Sequence, residues 1–417
     1  MAQLSIAGGV HHVTSWCCFE IRSLHLCGTR GKDGIPWLSL CTTKFRCGLP
    51  TSMASWRAAS TISLKHLTMK NHVIVIQGPG DAQVVEASVP KLRDNYIIVK
   101  VKAVALNPTD FMQIDYFASP GARVGCDYAG IVEEVGPKVT KAFKKGDRVA
   151  GFVHGSNAVQ HEDGAFGEYI TAKGDLQIHI PDELSFEEAA TLGVGVTTVG
   201  QGLYQSLGLP EPETPAAERF PILIYGGSTA TGALAIQFAR SSGLEVVTTG
   251  SPRNFDYLKS LGADAVFDYS SETCAEDIKR HTQGRLKHVL DCISKGKSTE
   301  ISVRALSDDG GLYSTLLPVP DNEVKKFNNK VANKMTLAYS STGESFLFGP
   351  QTFDANLADF EFSTRFSVVS EKLLRSGKIK PHRPSINEGG SGLAGALEGL
   401  QAVREGKVSG KKLVYTI

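Results

Sequence analysis

Residues 221–254 read PILIYGGSTATGALAIQFARSSGLEVVTTGSPRN, and they carry a complete strand-helix-strand pattern. An apolar run is broken by Gly226 and Gly227, apolar residues then recur at helical spacing over residues 230–240, and a β-rich run follows at residues 245–249. This order predicts a strand, a tight glycine turn, a helix and a second strand. The amino terminus of such a helix directs free N–H groups and the positive end of its dipole at the space above the turn, where a pyrophosphate fits. The stretch therefore predicts a dinucleotide site.

The glycine turn departs from the strict G-x-G-x-x-G spacing. Thr229 stands where such turns usually carry another glycine, and Gly232 supplies only the glycine that lets the helix approach the strand. Ser228, Thr229 and Thr231 could instead donate hydroxyl hydrogen bonds to phosphate oxygens. The alternative is a plain strand-to-helix turn that a Ser or Thr residue caps.

The end of the second strand bears on the choice between the two nicotinamide dinucleotides. A site for NAD usually places Asp or Glu there to hold the ribose hydroxyls, whereas NADP needs neutral donors and a cation. The strand runs into GSPRN at residues 250–254, which contains no carboxylate. Ser251 and Arg253 can meet a 2′-phosphate, the arginine through a bidentate contact. The sequence favours NADP, and the alternative reading of Arg253 is a solvated loop residue.

Composition places the chain among ordinary globular proteins of two or three domains. It has 417 residues, of which 41% are hydrophobic and 21% charged. A net charge of +1 argues against nucleic acid or an anionic membrane surface as the main partner. No apolar run reaches the roughly 18 residues that a membrane-spanning helix needs. The sparse cysteines after residue 50 are typical of a reducing compartment, so we expect a cytoplasmic protein.

The first 68 residues differ from the rest of the chain. They contain seven Lys or Arg residues against two acids, Glu20 and Asp33, and show no sustained hydrophobic period. Residues 53–69 have the basic, Ser- and Thr-rich composition of an organellar transit peptide, which leaves a mitochondrial location open. The other interpretation is an extension without function. We therefore expect residues 1–68 to be an unstructured or transit-like extension.

Six phrases in the remaining chain resemble the medium-chain dehydrogenase/reductase superfamily. They are GCDYAGIVEEVG, KKGDRVAGF, GAFGEYI, the dinucleotide unit, VLDCIS and GKVSGKKLVY, in that order over residues 70–417. The resemblance implies an α/β fold with a GroES-like, largely antiparallel β-barrel domain and a Rossmann domain with a doubly wound parallel sheet. It places the barrel domain at residues 69–198, the Rossmann domain at 199–350 and a return to the barrel domain at 351–417.

The zinc enzymes of that superfamily hold their metals through Cys and His ligands. Here Asn107-Pro-Thr-Asp and Gly125-Cys-Asp-Tyr stand at the first ligand positions, and no cysteine occurs in residues 127–273. We therefore predict no metal site, and we interpret Cys126 as a small buried apolar residue.

A more specific resemblance is to the fungal trans-acting enoyl reductases that serve highly reducing polyketide synthases. It is carried by GGSTATG and by SPRNFDYLKSLGADAVFDY. By that resemblance the residues lining NADPH would be Asn107, Pro108, Thr109, Asp110, Phe111, Met112, Ser228, Thr229, Ala230, Thr231, Ser251, Pro252, Arg253, Asn254, Tyr269, Leu316, Val408 and Ser409. The residues bordering the substrate would be Gly193, Val194, Gly195, Val196, Thr197, Thr198, Ser345, Phe346 and Phe348.

The resemblance implies a monomer that reduces an α,β-unsaturated acyl thioester bound to the carrier of a partner polyketide synthase, with NADPH as the hydride source. The low bulk of TLGVGVTTVG suits a long flexible acyl chain. No catalytic residue is assigned. Tyr116 lies near the place where related mitochondrial reductases carry a proton-donating tyrosine. The alternative is that Tyr116 is an ordinary aromatic residue of the cleft and that solvent supplies the proton. Two alternatives stay open: a zinc-independent quinone or enone oxidoreductase, and a non-catalytic NADPH-binding protein.

Overall fold

The computed structural model describes residues 70–417, and the extension expected over residues 1–68 lies outside them. The strands are β1 (Lys70–Gly78), β2 (Asp81–Ser88), β3 (Tyr96–Ala105), β4 (Asp127–Val135), β5 (Arg148–Phe152), β6 (Tyr169–Lys173), β7 (Ile178–His179), β8 (Pro221–Tyr225), β9 (Glu245–Gly250), β10 (Ala265–Asp268), β11 (His288–Asp291), β12 (Gly311–Thr315), β13 (Val331–Met335), β14 (Phe346–Phe348), β15 (Gln351–Phe353), β16 (Pro384–Ile386) and β17 (Lys412–Thr416).

The α-helices are α1 (Pro108–Tyr116), α2 (Phe186–Ala189), α3 (Gly193–Val199), α4 (Ala230–Ser241), α5 (Phe255–Ser260), α6 (Cys274–His281), α7 (Ser298–Ala305), α8 (Asp321–Lys325), α9 (Leu357–Arg375) and α10 (Gly392–Arg404). Short 3₁₀ helices occupy Gly174–Leu176, Pro252–Asn254 and Ala338–Thr342, and a π-helical segment occupies Gly200–Ser206. No helix in residues 70–417 is both long enough and apolar enough to cross a membrane.

The barrel-like part of the fold is built around β3. Its sheet has the order β16-β17-β3-β4-β5-β7, with β6 also paired to β3, and all of these pairs are antiparallel except β16 with β17. This confirms the predicted GroES-like, largely antiparallel domain. Strand β6 begins at Tyr169, and Phe166 before it is buried against Gly125, where a Cβ atom would lie 2.2 Å from the Phe166 ring.

The second sheet has six parallel strands in the order β10-β9-β8-β11-β12-β13, as predicted for a doubly wound Rossmann domain. Alternate residues of β8 point to opposite faces. Ile222 and Ile224 join Leu234 of α4 in one core cluster, while Leu223 joins Ile278 of α6 in another. Helices therefore cover both faces of the sheet.

Glycines shape the turn between β8 and α4. Gly226 has φ +78°, a backbone conformation that other residues rarely adopt. A Cβ atom on Gly232 would lie 2.3 Å from the carbonyl oxygen of Gly226. Helix and strand can approach this closely only because Gly232 has no side chain.

A buried carboxylate joins four segments of the chain. The Oδ1 atom of Asp127, at the start of β4, accepts a hydrogen bond from the backbone N–H of Val194 at 2.6 Å. Its Oδ2 atom accepts from the Asn107 amide at 2.9 Å and from the Lys412 ammonium. Lys412 also donates to Asn107 Oδ1 at 2.9 Å. Asp127 and Lys412 are 0% and 3% exposed, so the two charges compensate each other away from water.

The first prediction concerns this ion pair. Lys412→Met removes the ammonium and leaves the Asp127 carboxylate buried without its counter-charge, so we expect the free energy of unfolding in urea to fall by about 3–5 kcal/mol. The double variant Asp127→Asn with Lys412→Met removes both charges and should regain a large part of that loss. A Lys412→Met protein as stable as the unmutated one would contradict this account.

The second prediction concerns the glycine turn. Gly232→Ala forces the new methyl group against the Gly226 carbonyl, so we expect the free energy of unfolding to fall by about 1–3 kcal/mol, measured by urea denaturation. Gly78→Ala is the matched control, because a Cβ atom at Gly78 would have no neighbour within 4 Å. Equal losses in the two variants would show that the close approach at Gly232 has no energetic consequence.

Candidate functional site

Four of the predicted cofactor segments lie at one edge of the parallel sheet. Ser228 follows β8, Ser251 follows β9, Tyr269 follows β10 and Leu316 follows β12. Because parallel strands end at the same edge, all four positions share it. The strand order reverses between β8 and β11, and such a reversal opens a crevice in which ligands of doubly wound sheets bind.

The turn after β8 presents backbone N–H groups to this crevice. Thr229 caps α4: its hydroxyl donates to the Gly226 carbonyl at 2.9 Å and accepts from the Gly232 N–H at 3.0 Å. The hydroxyl hydrogen of Thr229 is therefore used within the turn, which agrees with the alternative of a turn capped by a Ser or Thr residue. The N–H groups of Ala230 and Thr231 occupy the first turn of α4, where no acceptor exists within the helix. These groups and the helix dipole suit a pyrophosphate.

The loop after β9 combines a fixed backbone with a free cation. Asn254 is buried, and its amide donates to Ser251 Oγ at 3.2 Å. Arg253 is exposed, and its side chain has no hydrogen-bond or ion-pair partner in the described part of the chain. A Cβ atom on Gly410 would lie 2.9 Å from Asn254 Oδ1, so the loop that carries Val408 and Ser409 lies against this segment.

The loop after β11 was not predicted as part of the site. Asp291 Oδ1 accepts the backbone N–H groups of Ile293 and Ser294, each at 2.8 Å. Ser294 Oγ in turn accepts the N–H of Leu316 at 2.9 Å. These bonds hold the loops after β11 and β12 in one arrangement, which fixes the position of Leu316.

The segment from residue 107 to 112 begins helix α1. Asn107 and Asp110 form a capping box, in which the Asn107 N–H donates to Asp110 Oδ2 at 2.7 Å. Burial raises the pKa of Asp110 to about 7. Pro108 is exposed at the first helical position, whereas Thr109 is half-buried and its hydroxyl lies 2.6 Å from the Tyr339 hydroxyl. Phe111 and Met112, the last two predicted residues of this segment, are also half-buried.

Beside Thr109 lies an aromatic cluster, which we define as Cys126, Phe152, Tyr339 and Phe346 with the half-buried Val194, Leu337, Phe348 and Phe353 packed on it. The structure thus brings together three residues predicted to border the substrate, namely Val194, Phe346 and Phe348. His154 stacks on Tyr339 with ring centroids 4.2 Å apart, and burial lowers the pKa of His154 to about 3. The imidazole is therefore neutral at physiological pH.

The other predicted substrate residues are not members of the aromatic cluster. A Cβ atom on Gly195 would lie 2.6 Å from Leu234 Cδ1, and one on Gly193 would lie 2.2 Å from the Gly151 carbonyl oxygen. The low bulk of this segment therefore allows α3 to pack on α4 and β5, and the interpretation that it leaves room for an acyl chain does not apply to these two glycines. Val196 and Thr198 are buried, Thr197 is half-buried, and Ser345 is exposed.

Sequence reasoning missed the residues that hold the site together. Asp127, Lys412, Tyr339 and His154 lie far apart in the sequence, and nothing in their neighbours identifies a partner. The only available signal was a charged residue at an inward-facing strand position, at Asp127 and at Lys412. Tyr116, considered as a proton donor, is 68% exposed. Within residues 70–417, no group of three or more His, Cys, Asp or Glu side chains is placed to hold a metal ion.

Two family profiles match the chain. The alcohol dehydrogenase GroES-like domain matches residues 93–182, and the zinc-binding dehydrogenase family matches residues 230–360. Both are domains of the medium-chain dehydrogenase/reductase superfamily, which confirms the superfamily resemblance.

The fold is similar to several solved structures. The quinone oxidoreductase of Coxiella burnetii has a TM-score of 0.62 and 24% identity, with 84% of this chain and 100% of that chain covered. The CurK enoyl reductase has a TM-score of 0.63 and 20% identity, with 84% and 99% covered. A mycobacterial protein complexed with NADPH has a TM-score of 0.64 and 21% identity, with 83% and 100% covered. At sequence identities of 20–24%, this structural similarity establishes the fold alone.

Curated relatives are closer in sequence. A trans-enoyl reductase of Alternaria alternata is 47% identical over 351 residues, which are 84% of this chain and 99% of the relative. One of Cochliobolus carbonum is 56% identical over 66% of this chain and 91% of the relative. One of Aspergillus sclerotiorum is 46% identical over 82% of this chain and 99% of the relative. The chain therefore belongs to the trans-enoyl reductase family of the medium-chain dehydrogenase/reductase superfamily.

Proposed function

We propose that this protein is an NADPH-dependent, trans-acting enoyl reductase that reduces the α,β-double bond of a polyketide acyl thioester held by a partner synthase. The observation that carries the proposal is the position of the aromatic cluster. It includes Val194 at the start of α3, and α3 packs on α4, the helix of the dinucleotide turn. The half-buried Val194 and Phe348 of this cluster offer apolar contacts near the dinucleotide turn, which suits an acyl chain that must meet a nicotinamide.

The residues present fit the cofactor. The glycine turn and the first N–H groups of α4 would hold the pyrophosphate, and Ser251 with Arg253 would hold the 2′-phosphate. When bound, NADPH supplies the hydride for the β-carbon of the enoyl thioester. The reaction consumes one enoyl thioester, one NADPH and one proton, and it gives the saturated thioester and NADP⁺.

The remaining parts of the proposal concern the partner and the compartment. Delivery by a docked carrier raises the effective concentration of the substrate, so the reductase needs few strong contacts with the acyl chain itself. The proposed partner is a highly reducing polyketide synthase, and the reductase acts as a monomer. The sparse cysteines after residue 50 support a cytoplasmic location.

The third prediction tests the cofactor. The free Arg253 and the absence of a carboxylate in residues 250–254 lead us to expect NADPH to bind at least about tenfold more tightly than NADH, equivalent to about 1.4 kcal/mol. Arg253→Ala should narrow that difference, measured by fluorescence titration of both dinucleotides. Arg280→Ala is the control, because Arg280 lies near the end of α6 rather than on the loop after β9. Equal affinities in the unmutated protein would refute the NADPH preference.

The fourth prediction tests the substrate. We expect fast reduction of an enoyl thioester presented on a carrier domain, slow reduction of the same acyl group as a free thioester, and no rapid turnover of quinones, each followed by the loss of NADPH absorbance. Tethering accounts for the difference between the first two substrates, and it can reach a factor of roughly 10²–10⁴. Rapid quinone reduction with no activity on any enoyl thioester would replace this proposal with a quinone reductase. Binding of NADPH without any turnover would indicate a non-catalytic protein.

A further inference from the structure

Thr109 and Tyr339 form a hydroxyl pair at the boundary between α1 and the aromatic cluster. The two oxygens are 2.6 Å apart. Tyr339 is 4% exposed, whereas Thr109 is half-buried, so part of Thr109 remains accessible. The Tyr339 ring stacks on His154, and its centroid lies 5.9 Å from that of Phe346 and 5.9 Å from that of Phe348. These contacts fix the direction in which the phenol points.

A third residue favours one direction for the hydrogen bond between the two hydroxyls. The buried amide Nε2 of Gln113 donates to the Tyr339 hydroxyl at 3.4 Å. A phenol oxygen that accepts a hydrogen bond still has its single hydrogen to give. Burial raises the pKa of Tyr339 well above its usual range, so this hydrogen is retained. In the arrangement that we infer, the Tyr339 hydroxyl gives this hydrogen to Thr109 Oγ1.

The hydrogen of Thr109 is then available to a ligand. Its oxygen already accepts from Tyr339, and the Thr109 hydroxyl has no other hydrogen-bond partner among residues 70–417. Chains of hydrogen bonds that run in one direction polarise one another, so Gln113 and Tyr339 make the terminal hydroxyl a stronger donor. This series of hydrogen bonds ends at Thr109, beside the aromatic cluster to which Val194 and Phe348 also belong.

We propose that the Thr109 hydroxyl donates to the thioester oxygen of the substrate as that oxygen gains charge, and that Tyr339 is the positioning residue that fixes the direction of this donor. The inference rests on the proposed function. Hydride addition at the β-carbon moves the π electrons of the double bond toward the α-carbon and the thioester carbonyl, which gives an enolate. The hydrogen bond from Thr109 stabilises its oxygen, the α-carbon then takes a proton from solvent, and the carbonyl re-forms.

The test compares variants that keep the shape of the site. Thr109→Val removes the hydroxyl and should lower kcat by about 100-fold or more, with KM raised by no more than about fivefold and the NADPH dissociation constant unchanged, because the bond is strongest in the transition state. Thr109→Ser keeps a hydroxyl and should retain most of the activity. Tyr339→Phe keeps the ring stack and should lower kcat by roughly tenfold. Tyr204→Phe is the matched control, because Tyr204 is a buried tyrosine whose hydroxyl lies 3.0 Å from Ser242 Oγ in another core cluster.

Two further measurements separate positioning from a structural role. In the double variant, Tyr339→Phe should cause no additional loss once Thr109→Val is present, since Tyr339 acts only through Thr109. Calorimetry without NADPH should show that Thr109→Val binds a saturated acyl thioester about fivefold more weakly than the unmutated protein does. A fivefold difference corresponds to the net free energy of about one ordinary hydrogen bond. Melting temperatures measured in parallel should stay close to that of the unmutated protein.

Three results would overturn the inference. If Thr109→Val weakened NADPH binding and left kcat unchanged, the hydroxyl would serve the cofactor. If the unmutated protein reduced enoyl thioesters and Tyr339→Phe matched it, this inference would be wrong while the proposed function stood. If the unmutated protein reduced no enoyl thioester, the proposed function would fail and this inference with it.

Discussion

The buried carboxylate of Asp127 sets the geometry on which the rest of the molecule depends. Each of its oxygens is occupied, one by the N–H at the start of α3 and the other by Asn107 and Lys412. A charge without exposure to water needs this full set of partners, so β4 and the three segments that supply the partners have little freedom to move independently. Because α3 packs on α4, an interaction inside the barrel sheet also positions the dinucleotide turn.

The candidate site follows from that arrangement. The carboxyl edge of the parallel sheet supplies backbone N–H groups and a free arginine, both suited to phosphates. Helix α1 begins at Asn107, one of the partners of Asp127, and two residues later it presents Thr109 beside the aromatic cluster. Thr109, predicted to line the cofactor, therefore meets the aromatic cluster, which contains residues predicted to border the substrate, at the start of a single helix.

Local patterns predicted much of this structure, and distant pairings could not be predicted. The strand at Pro221–Tyr225 and the helix after it were readable because glycines and the apolar period lie within a few residues of each other. Asp127 and Lys412 are 285 residues apart, and one sequence contains no signal that pairs them. The same limit explains why Gly195 was expected to leave room for an acyl chain. Its neighbour in the structure, Leu234, lies on another helix and could not be identified from the sequence around Gly195. For Thr229, the sequence allowed the hydroxyl either to bind a phosphate or to cap α4, and in the structure it caps α4.

The position of β17 in the barrel sheet has a consequence for how the chain acquires its structure. The central strand β3 pairs with β17, and the ammonium that completes the network around Asn107 stands 305 residues further along the chain. On the ribosome, the parallel sheet can assemble as soon as β13 has emerged, whereas the barrel sheet waits with an open edge until translation reaches Lys412. Long-range pairing of this kind is slow and leaves strand edges exposed meanwhile. The Rossmann domain, although second in the sequence, is thus the part that can be completed first.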